Sequence, residues 1–215
     1  MSDRPILNVV DYTRPIQTLI PGVQGKILSV LAETTSQLNL TTIARLTGVS
    51  PAQASRVLPE LVHLGLVERV EAPPSALFRL MDENVVGRLV RSMTDLPFLA
   101  LTAVGDRSAL QKPRPELVVV FGSFARGEAD ADSDLDLVVV RPIDIGDDDS
   151  AWADSTVSLS QDLARALGNP VNILEVGASE LDRRLRSRSE LWRTIRSEGI
   201  VVYGDAPGNL QSITR

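Results

Sequence analysis

The segment FGSFARGEADADSDLDLVVV, residues 121–140, constrains the fold most, because it places two aspartates one residue apart in an apolar run. Residues two apart in a strand project from the same face, so Asp134 and Asp136 are predicted side by side, while Leu135 and Leu137 face a core. Two carboxylates at that separation repel, and burial makes it harder to ionise both. A divalent cation resolves this conflict, and Mg²⁺ prefers oxygen ligands and keeps waters and substrate phosphates in its shell. The segment therefore predicts a strand that carries a cation site.

The composition of the chain limits which metals it can bind and which partners it can have. The chain has no cysteine and one histidine, which excludes thiolate zinc sites and disfavours a histidine-based one. Hydrophobic residues make up 43 % of its 215 residues and charged residues 23 %, as in an ordinary globular protein. A net charge of −6 argues against a surface that coats nucleic acid broadly. No apolar run approaches the ~18 residues of a membrane span, so we expect a soluble, cytoplasmic protein without a membrane partner.

The residues just before the aspartates are suited to binding phosphate. Gly122 removes a side chain where a phosphate would approach the backbone, and Ser123 offers a hydroxyl and an amide at a turn that can begin a helix. Arg126 is placed to neutralise charge that develops on a phosphate. Together with a cation site, these groups are the parts that metal-assisted phosphoryl chemistry needs.

This pattern, Gly-Ser, ten residues, then Asp-x-Asp, resembles the signature of the polymerase-β-like nucleotidyltransferases, and in particular the minimal type with the form G-S-x-A-R-G. The resemblance spans about residues 117–176. It implies a mixed sheet and metal-dependent transfer of a nucleoside monophosphate from an NTP such as ATP, with Mg²⁺ or alternatively Mn²⁺. It further implies roles for six residues: Asp134 and Asp136 as metal ligands and catalytic residues, Arg126 as a catalytic residue, and Gly122, Ser123 and Ser133 as nucleotide contacts. We also expect Asn172 to contact the nucleotide.

One position departs from the family pattern. These enzymes usually carry a third carboxylate on a later strand, and the corresponding run here is VNILEV, with Asn172 where that acid belongs. An Asn oxygen is able to ligate Mg²⁺, but it is neutral and cannot deprotonate an acceptor hydroxyl. Glu175 is predicted on the opposite face of the strand unless a bulge intervenes. Two outcomes stay open: nucleotide binding with weak turnover, or an acceptor that supplies its own activated nucleophile.

The first third of the chain shows a helix–helix–helix–hairpin order. Ser50 and Pro51 are a helix start that leads to about Leu64, and two short strands follow around a Pro-Pro-Ser turn. Residues 22–80 therefore resemble the winged helix-turn-helix transcription regulators. The resemblance implies that the third helix enters a DNA major groove, with Gln53, Ser55 and Arg56 as base or phosphate contacts. Arg56 is the only Lys or Arg of that helix, and Pro59 lies inside it.

The predicted architecture is α+β, with an N-terminal arm (1–21), a winged helix-turn-helix (22–81), a helical connector (82–115) and a nucleotidyltransferase domain with a mixed sheet (116–215). The predicted function is Mg²⁺-dependent transfer of a nucleoside monophosphate to a hydroxyl of RNA, a protein or a small molecule. The alternative is a DNA-binding regulator or an antitoxin-like protein with a toxin partner, whose nucleotidyltransferase domain is a weakly active or inactive nucleotide sensor. Because winged helices commonly dimerise, we also expect a homodimer.

Overall fold

The computed structural model describes residues 10–208 and 210–213, which form two compact units. The first unit is Arg14–Leu96, and the second begins at Pro97 and includes the described residues 10–13. The helices are α1 (Pro15–Leu19), α2 (Val23–Ala32), α3 (Leu40–Thr47), α4 (Pro51–His63), α5 (Val85–Ser92), α6 (Leu96–Leu110), α7 (Ser123–Arg126), α8 (Ser150–Leu167), α9 (Ala178–Leu185) and α10 (Glu190–Glu198). The strands are β1 (Leu38–Asn39), β2 (Val67–Ala72), β3 (Ser75–Leu80), β4 (Leu117–Phe121), β5 (Leu135–Arg141), β6 (Val171–Gly177), β7 (Ile200–Tyr203) and β8 (Gln211–Ser212).

The first unit has the predicted order of three helices and a hairpin. Its sheet has the order β1-β3-β2, with both pairings antiparallel. Local signals set the helix ends: the Asn39 side chain caps α3, and Ser50 caps α4 directly before Pro51. Gly65 follows α4 with a φ of 70°, a conformation that glycine adopts without a Cβ penalty. Apolar side chains from α2, α3, α4 and the hairpin then pack into one core.

The second unit is built on a mixed five-stranded sheet of order β6-β5-β4-β7-β8. Strand β4 pairs antiparallel with β5 and β7, whereas β5 and β6, like β7 and β8, run parallel. The mixed sheet implied by the sequence resemblance is confirmed. Strand β8 is an addition that the sequence pattern did not indicate, because its two residues are too few to show a period.

Strand β5 is an inner strand of the sheet, and from Leu137 onward it is buried on both faces. Leu135 and Leu137 are fully buried on one face. On the other face, Val138 and Val140 pack in a core with Trp192 and Ile195 of α10. Asp136 shares that second face by the two-residue period, so helix α10 covers the strand further along from the position of Asp136.

The connector predicted over residues 82–115 is divided between the two units. Helix α5 belongs to the first, where Arg91 donates a hydrogen bond to the carbonyl of Ala32 at 2.6 Å. From Pro97 onward α6 belongs to the second, and it packs so closely that a Cβ on Gly105 would lie 2.3 Å from the carbonyl oxygen of Val202. An amphipathic pattern shows that a helix buries one face but does not identify the partner of that face, so the sequence left this division undetermined.

Within the described residues, no helix combines the length and apolar character that a bilayer crossing requires.

Candidate active site

Two neighbouring strands bring Asp134, Asp136 and Asn172 together. Asp134 directly precedes β5, Asp136 is its second residue, and the parallel register pairs Asp136 with Asn172 of β6. The side-chain amide of Asn172 donates hydrogen bonds to Asp134 Oδ2 at 3.2 Å and to Asp136 Oδ1 at 3.1 Å. One neutral amide therefore bridges the two carboxylates and offsets part of their repulsion. A rotation of ~180° about the last side-chain torsion of Asn172 would turn its amide oxygen, instead of its NH₂ group, toward the two carboxylates, and an amide oxygen is able to bind a cation.

Two observations favour glycine at position 122. Its φ of 73° is a left-handed conformation that L side chains rarely adopt. In addition, a Cβ at this position would lie 2.9 Å from Asp136 Oδ2. The backbone before Ser123, the first residue of α7, therefore runs directly against the carboxylate of Asp136. The structure thus brings the Gly-Ser turn and the aspartate pair into one site.

Arg126 ends α7 and is engaged by two carboxylates. Its Nε donates to Glu128 Oε2 at 2.7 Å, and its Nη1 donates to Glu198 Oε2 at 2.5 Å. The hydrogen bonds to Glu128 and then to Glu198 raise the pKa of the Arg126 guanidinium above its ordinary value. Its charge is therefore compensated within the chain. Glu198 comes from the end of α10, 72 residues away, and no local pattern in the sequence pointed to it.

Ser133 lies in the loop that leads to Asp134. Its hydroxyl donates to Asp130 Oδ1 at 2.7 Å and accepts from the backbone N–H of Asp130 at 3.0 Å. The hydrogen bond from Ser133, and then that from the backbone N–H of Asp132, lower the pKa of Asp130. Ser133 therefore stabilises its own loop next to the aspartate pair.

Glu175 does not supply a third carboxylate to the site. It projects from the opposite face of β6, as predicted, and accepts a hydrogen bond from Arg141 Nε at 3.0 Å. No group of three or more His, Cys, Asp or Glu side chains suited to a metal ion occurs in the described part of the chain. The carboxylates that line the site are thus those of Asp134 and Asp136.

This donor set fits a hard divalent cation. Two carboxylates and one amide side chain offer oxygen atoms, which Mg²⁺ and Mn²⁺ accept as ligands. The bare backbone at Gly122 leaves the Asp136 carboxylate open where a side chain would otherwise press on it. The residues fit either cation and do not distinguish between the two.

The three predicted DNA contacts on α4 have different surroundings. The side-chain oxygen of Gln53 accepts a hydrogen bond from the Ser50 backbone N–H at 3.0 Å, and the Gln53 backbone N–H donates to the Ser50 hydroxyl oxygen at 3.2 Å, which together form a capping box. The Ser-x-x-Gln spacing that signals such a box was present in the sequence. Ser55 and Arg56 are exposed, and Arg56 makes no hydrogen bond or ion pair with any residue that the structure describes. Pro59 is exposed within a helix that continues to His63.

Comparison with known protein families confirms both sequence resemblances. Residues 105–192 match the nucleotidyltransferase domain family, and residues 25–71 match the IclR helix-turn-helix domain family. The chain therefore carries a nucleotidyltransferase domain preceded by a helix-turn-helix domain. No curated protein matches the chain.

Two solved structures are similar to part of the chain. One is a mutant of the toxin-antitoxin MntA-HpeT, with 22 % identity, a TM-score of 0.35, and coverage of 49 % of this chain and 73 % of that chain. The other is a toxin-antitoxin with AMP-PNP, with 22 % identity, a TM-score of 0.32, and coverage of 50 % of this chain and 73 % of that chain.

Proposed function

We propose that this protein transfers a nucleoside monophosphate from an NTP to a hydroxyl of an acceptor, with Mg²⁺, or Mn²⁺ as the alternative, held by Asp134 and Asp136. The observation that carries the proposal is the aspartate pair itself, bridged by Asn172 and lying against the glycine turn. The match of residues 105–192 to the nucleotidyltransferase domain family supports the same reaction class.

Each residue of the site has a proposed task. Asp134 and Asp136 would hold a divalent cation, which would neutralise charge on the triphosphate and polarise the phosphoryl group under attack. Gly122 and Ser123 offer the triphosphate a bare backbone, an amide and a hydroxyl. Arg126 adds positive charge by exchanging a bond to Glu198 or Glu128 for one to a phosphate oxygen. Ser133 and Asn172 border the nucleotide beside the aspartate pair.

In the proposed reaction, removal of the proton from the acceptor hydroxyl limits the rate of turnover. The hydroxyl oxygen attacks the α-phosphorus, the bond from that phosphorus to the bridging oxygen breaks, and pyrophosphate leaves. The proton has to be removed, and Asn172 is unable to take it because an amide has no basic site at neutral pH. It passes instead to water or to a group on the acceptor itself. We therefore propose slow transfer to a hydroxyl of RNA, a protein or a small molecule, unless the acceptor carries its own base.

Calorimetric titration of ATP, CTP, GTP and UTP, with and without Mg²⁺, tests this proposal without knowledge of the acceptor. We expect at least one NTP to bind with Mg²⁺ and to bind far more weakly without it, because the uncompensated carboxylates repel the triphosphate. If no NTP binds in the presence of Mg²⁺ or Mn²⁺, the proposed function is wrong.

A second proposed function is DNA binding by helix α4. Arg56 favours it, because this side chain is exposed and has no partner among the residues that the structure describes. The exposed Ser55 beside it and the match to the IclR helix-turn-helix domain family favour it as well. The side-chain oxygen of Gln53 is already hydrogen-bonded to Ser50, so Ser55 and Arg56 are the stronger candidates for DNA contacts. With a single Arg in the helix, few counterions are displaced, and we expect weak, salt-sensitive binding.

Arg56→Ala is expected to weaken DNA binding and to reduce the slope of log affinity against log salt by about 1, as for the loss of one phosphate contact. Gel-shift or anisotropy titrations over a range of salt concentrations, on DNA from the protein's own promoter, measure both quantities. Arg88→Ala removes the same charge from an exposed position of α5 and serves as the matched control. Absence of a specific complex at low salt would count against DNA binding, and equal effects of the two variants would exclude α4 as the contact.

The antitoxin-like role with a toxin partner, the nucleotide-sensor role and the homodimer stay predictions. Asn172 in place of an acid suits a sensor that binds nucleotide with little turnover.

A further inference from the structure

The position of Asp134 depends on the loop that precedes it. Asp134 lies outside the ladder of β5, whose first residue, Leu135, donates its backbone N–H to the carbonyl of Pro170 at 2.8 Å. The residues before it, 128–133, form the segment that we name the motif loop, between the Gly-Ser helix α7 and the aspartate pair. Contacts that fix the motif loop therefore help to position the carboxylate of Asp134.

Asn169 holds the motif loop at two points. Its side chain is completely buried, with 0 % exposure. Its Nδ2 donates to the backbone carbonyl of Asp130 at 3.1 Å and to that of Ser133 at 2.9 Å. A buried amide with both N–H groups directed at carbonyls is fixed in orientation, because the reverse orientation would set oxygen against oxygen. One side chain therefore ties both sides of the turn that ends at Asp134.

Tyr12 holds the other end of the same loop, although it comes from the start of the chain. It is 5 % exposed, and its backbone N–H donates to the carbonyl of Ala129 at 2.9 Å. Its hydroxyl donates to the carbonyl of Leu167 at 2.9 Å, two residues before Asn169. Its ring packs against that of Phe124 in α7, with centroids 5.1 Å apart. Burial raises the pKa of Tyr12 to about 12, so the hydroxyl remains a donor at neutral pH.

We infer that Tyr12 and Asn169 are positioning residues that clamp the motif loop and thereby keep Asp134 beside Asp136. The inference rests on the proposed function for its effect on nucleotide, but the clamp itself is a property of the loop. Neither residue belongs to the Gly-Ser or Asp-x-Asp pattern, and Tyr12 lies outside the residues that match the nucleotidyltransferase domain family. The described residues 10–13 group with the second unit, which begins at Pro97.

Hydrogen exchange of the full-length protein without nucleotide tests the clamp directly. Asn169→Leu keeps the volume but removes both donors, and we expect the amides of the motif loop to exchange about 30-fold faster, as the loss of two net hydrogen bonds implies. Tyr12→Phe removes only the hydroxyl bond and should give a smaller increase in the same loop. Tyr203→Phe is the matched control, because the Tyr203 hydroxyl makes no hydrogen bond in the part of the chain that the structure describes. Unchanged exchange in the loop, or an equal rise throughout the domain, would overturn the clamp.

Calorimetry then decides whether the clamp serves the site. If wild type binds an NTP with Mg²⁺, Asn169→Leu is expected to need about 10-fold more Mg²⁺ for the same binding, as for loss of an outer-shell partner. A faster-exchanging loop with an unchanged Mg²⁺ requirement would contradict the positioning of Asp134. If wild type binds no NTP, the proposed function fails, while the exchange result still decides the clamp.

Discussion

Asp136→Ala is expected to abolish Mg²⁺-dependent NTP binding and to lower nucleotidyl transfer at least about 10²-fold. Loss of an outer-shell partner of a metal commonly reduces affinity or activity by about 10- to 100-fold, so the loss of a carboxylate ligand should have at least the larger effect. The remaining carboxylate, Asp134, still has its hydrogen bond from Asn172, but one acid and one amide provide too little negative charge to hold Mg²⁺ against its hydration shell.

Calorimetry with the NTP that wild type prefers measures this effect. Asp144→Ala removes the same charge from an exposed loop and should bind as wild type does. Thermal unfolding checks that the Asp136 variant is folded; we expect a cooperative transition, because Asp136 is only partly buried and its side chain fills no part of the core. A folded Asp136→Ala protein that retains Mg²⁺-dependent binding would refute the assignment of the site.

Asn172→Asp is expected to have the opposite effect on the cation site. It replaces the bridging amide by a third carboxylate within reach of Asp134 and Asp136. Without a cation, two hydrogen bonds become repulsions, so the free energy of unfolding should fall. With Mg²⁺ present, the added charge should raise its affinity by about 10-fold, which corresponds to about 1.4 kcal/mol. The new carboxylate is also able to take a proton from an acceptor hydroxyl, a contribution of about 10²-fold or more to transfer.

The Mg²⁺ dependence of thermal unfolding measures the first effect, and pyrophosphate release from the bound NTP measures the second. Asn172→Ala is the control, because it removes the two hydrogen bonds without adding charge and should not raise the Mg²⁺ affinity. If Mg²⁺ stabilises Asn172→Asp no more than wild type, then Asn172 does not face the cation. Tighter Mg²⁺ binding without faster pyrophosphate release would mean that proton removal does not limit transfer.

Most elements of the fold followed from short-range patterns. The cap at Ser50 with Pro51, the hairpin around the Pro-Pro-Ser turn, and the alternation about Leu135 and Leu137 each depend on residues close in sequence, and all are confirmed. The division of the connector and the membership of residues 10–13 were not predictable, because an amphipathic or irregular segment does not reveal which core receives it.

In the candidate site, as in the fold, features set by neighbouring residues were predictable and contacts between distant residues were not. By itself, the sequence determined that Asp134 and Asp136 stand together and that Gly122 precedes them, because backbone periodicity and residue identity decide these features. The family resemblance added that Asn172 stands where an acid is usual. Only the tertiary structure decided the polar contacts between distant segments: the amide bridge from Asn172, the ion pair of Arg126 with Glu198, and the hold of Tyr12 and Asn169 on the motif loop. The residues in those contacts are separated by 38, 72, 39 and more than 100 positions in the sequence. A single polar side chain has no periodic pattern from which its partner could be predicted, so only the folded chain reveals these contacts.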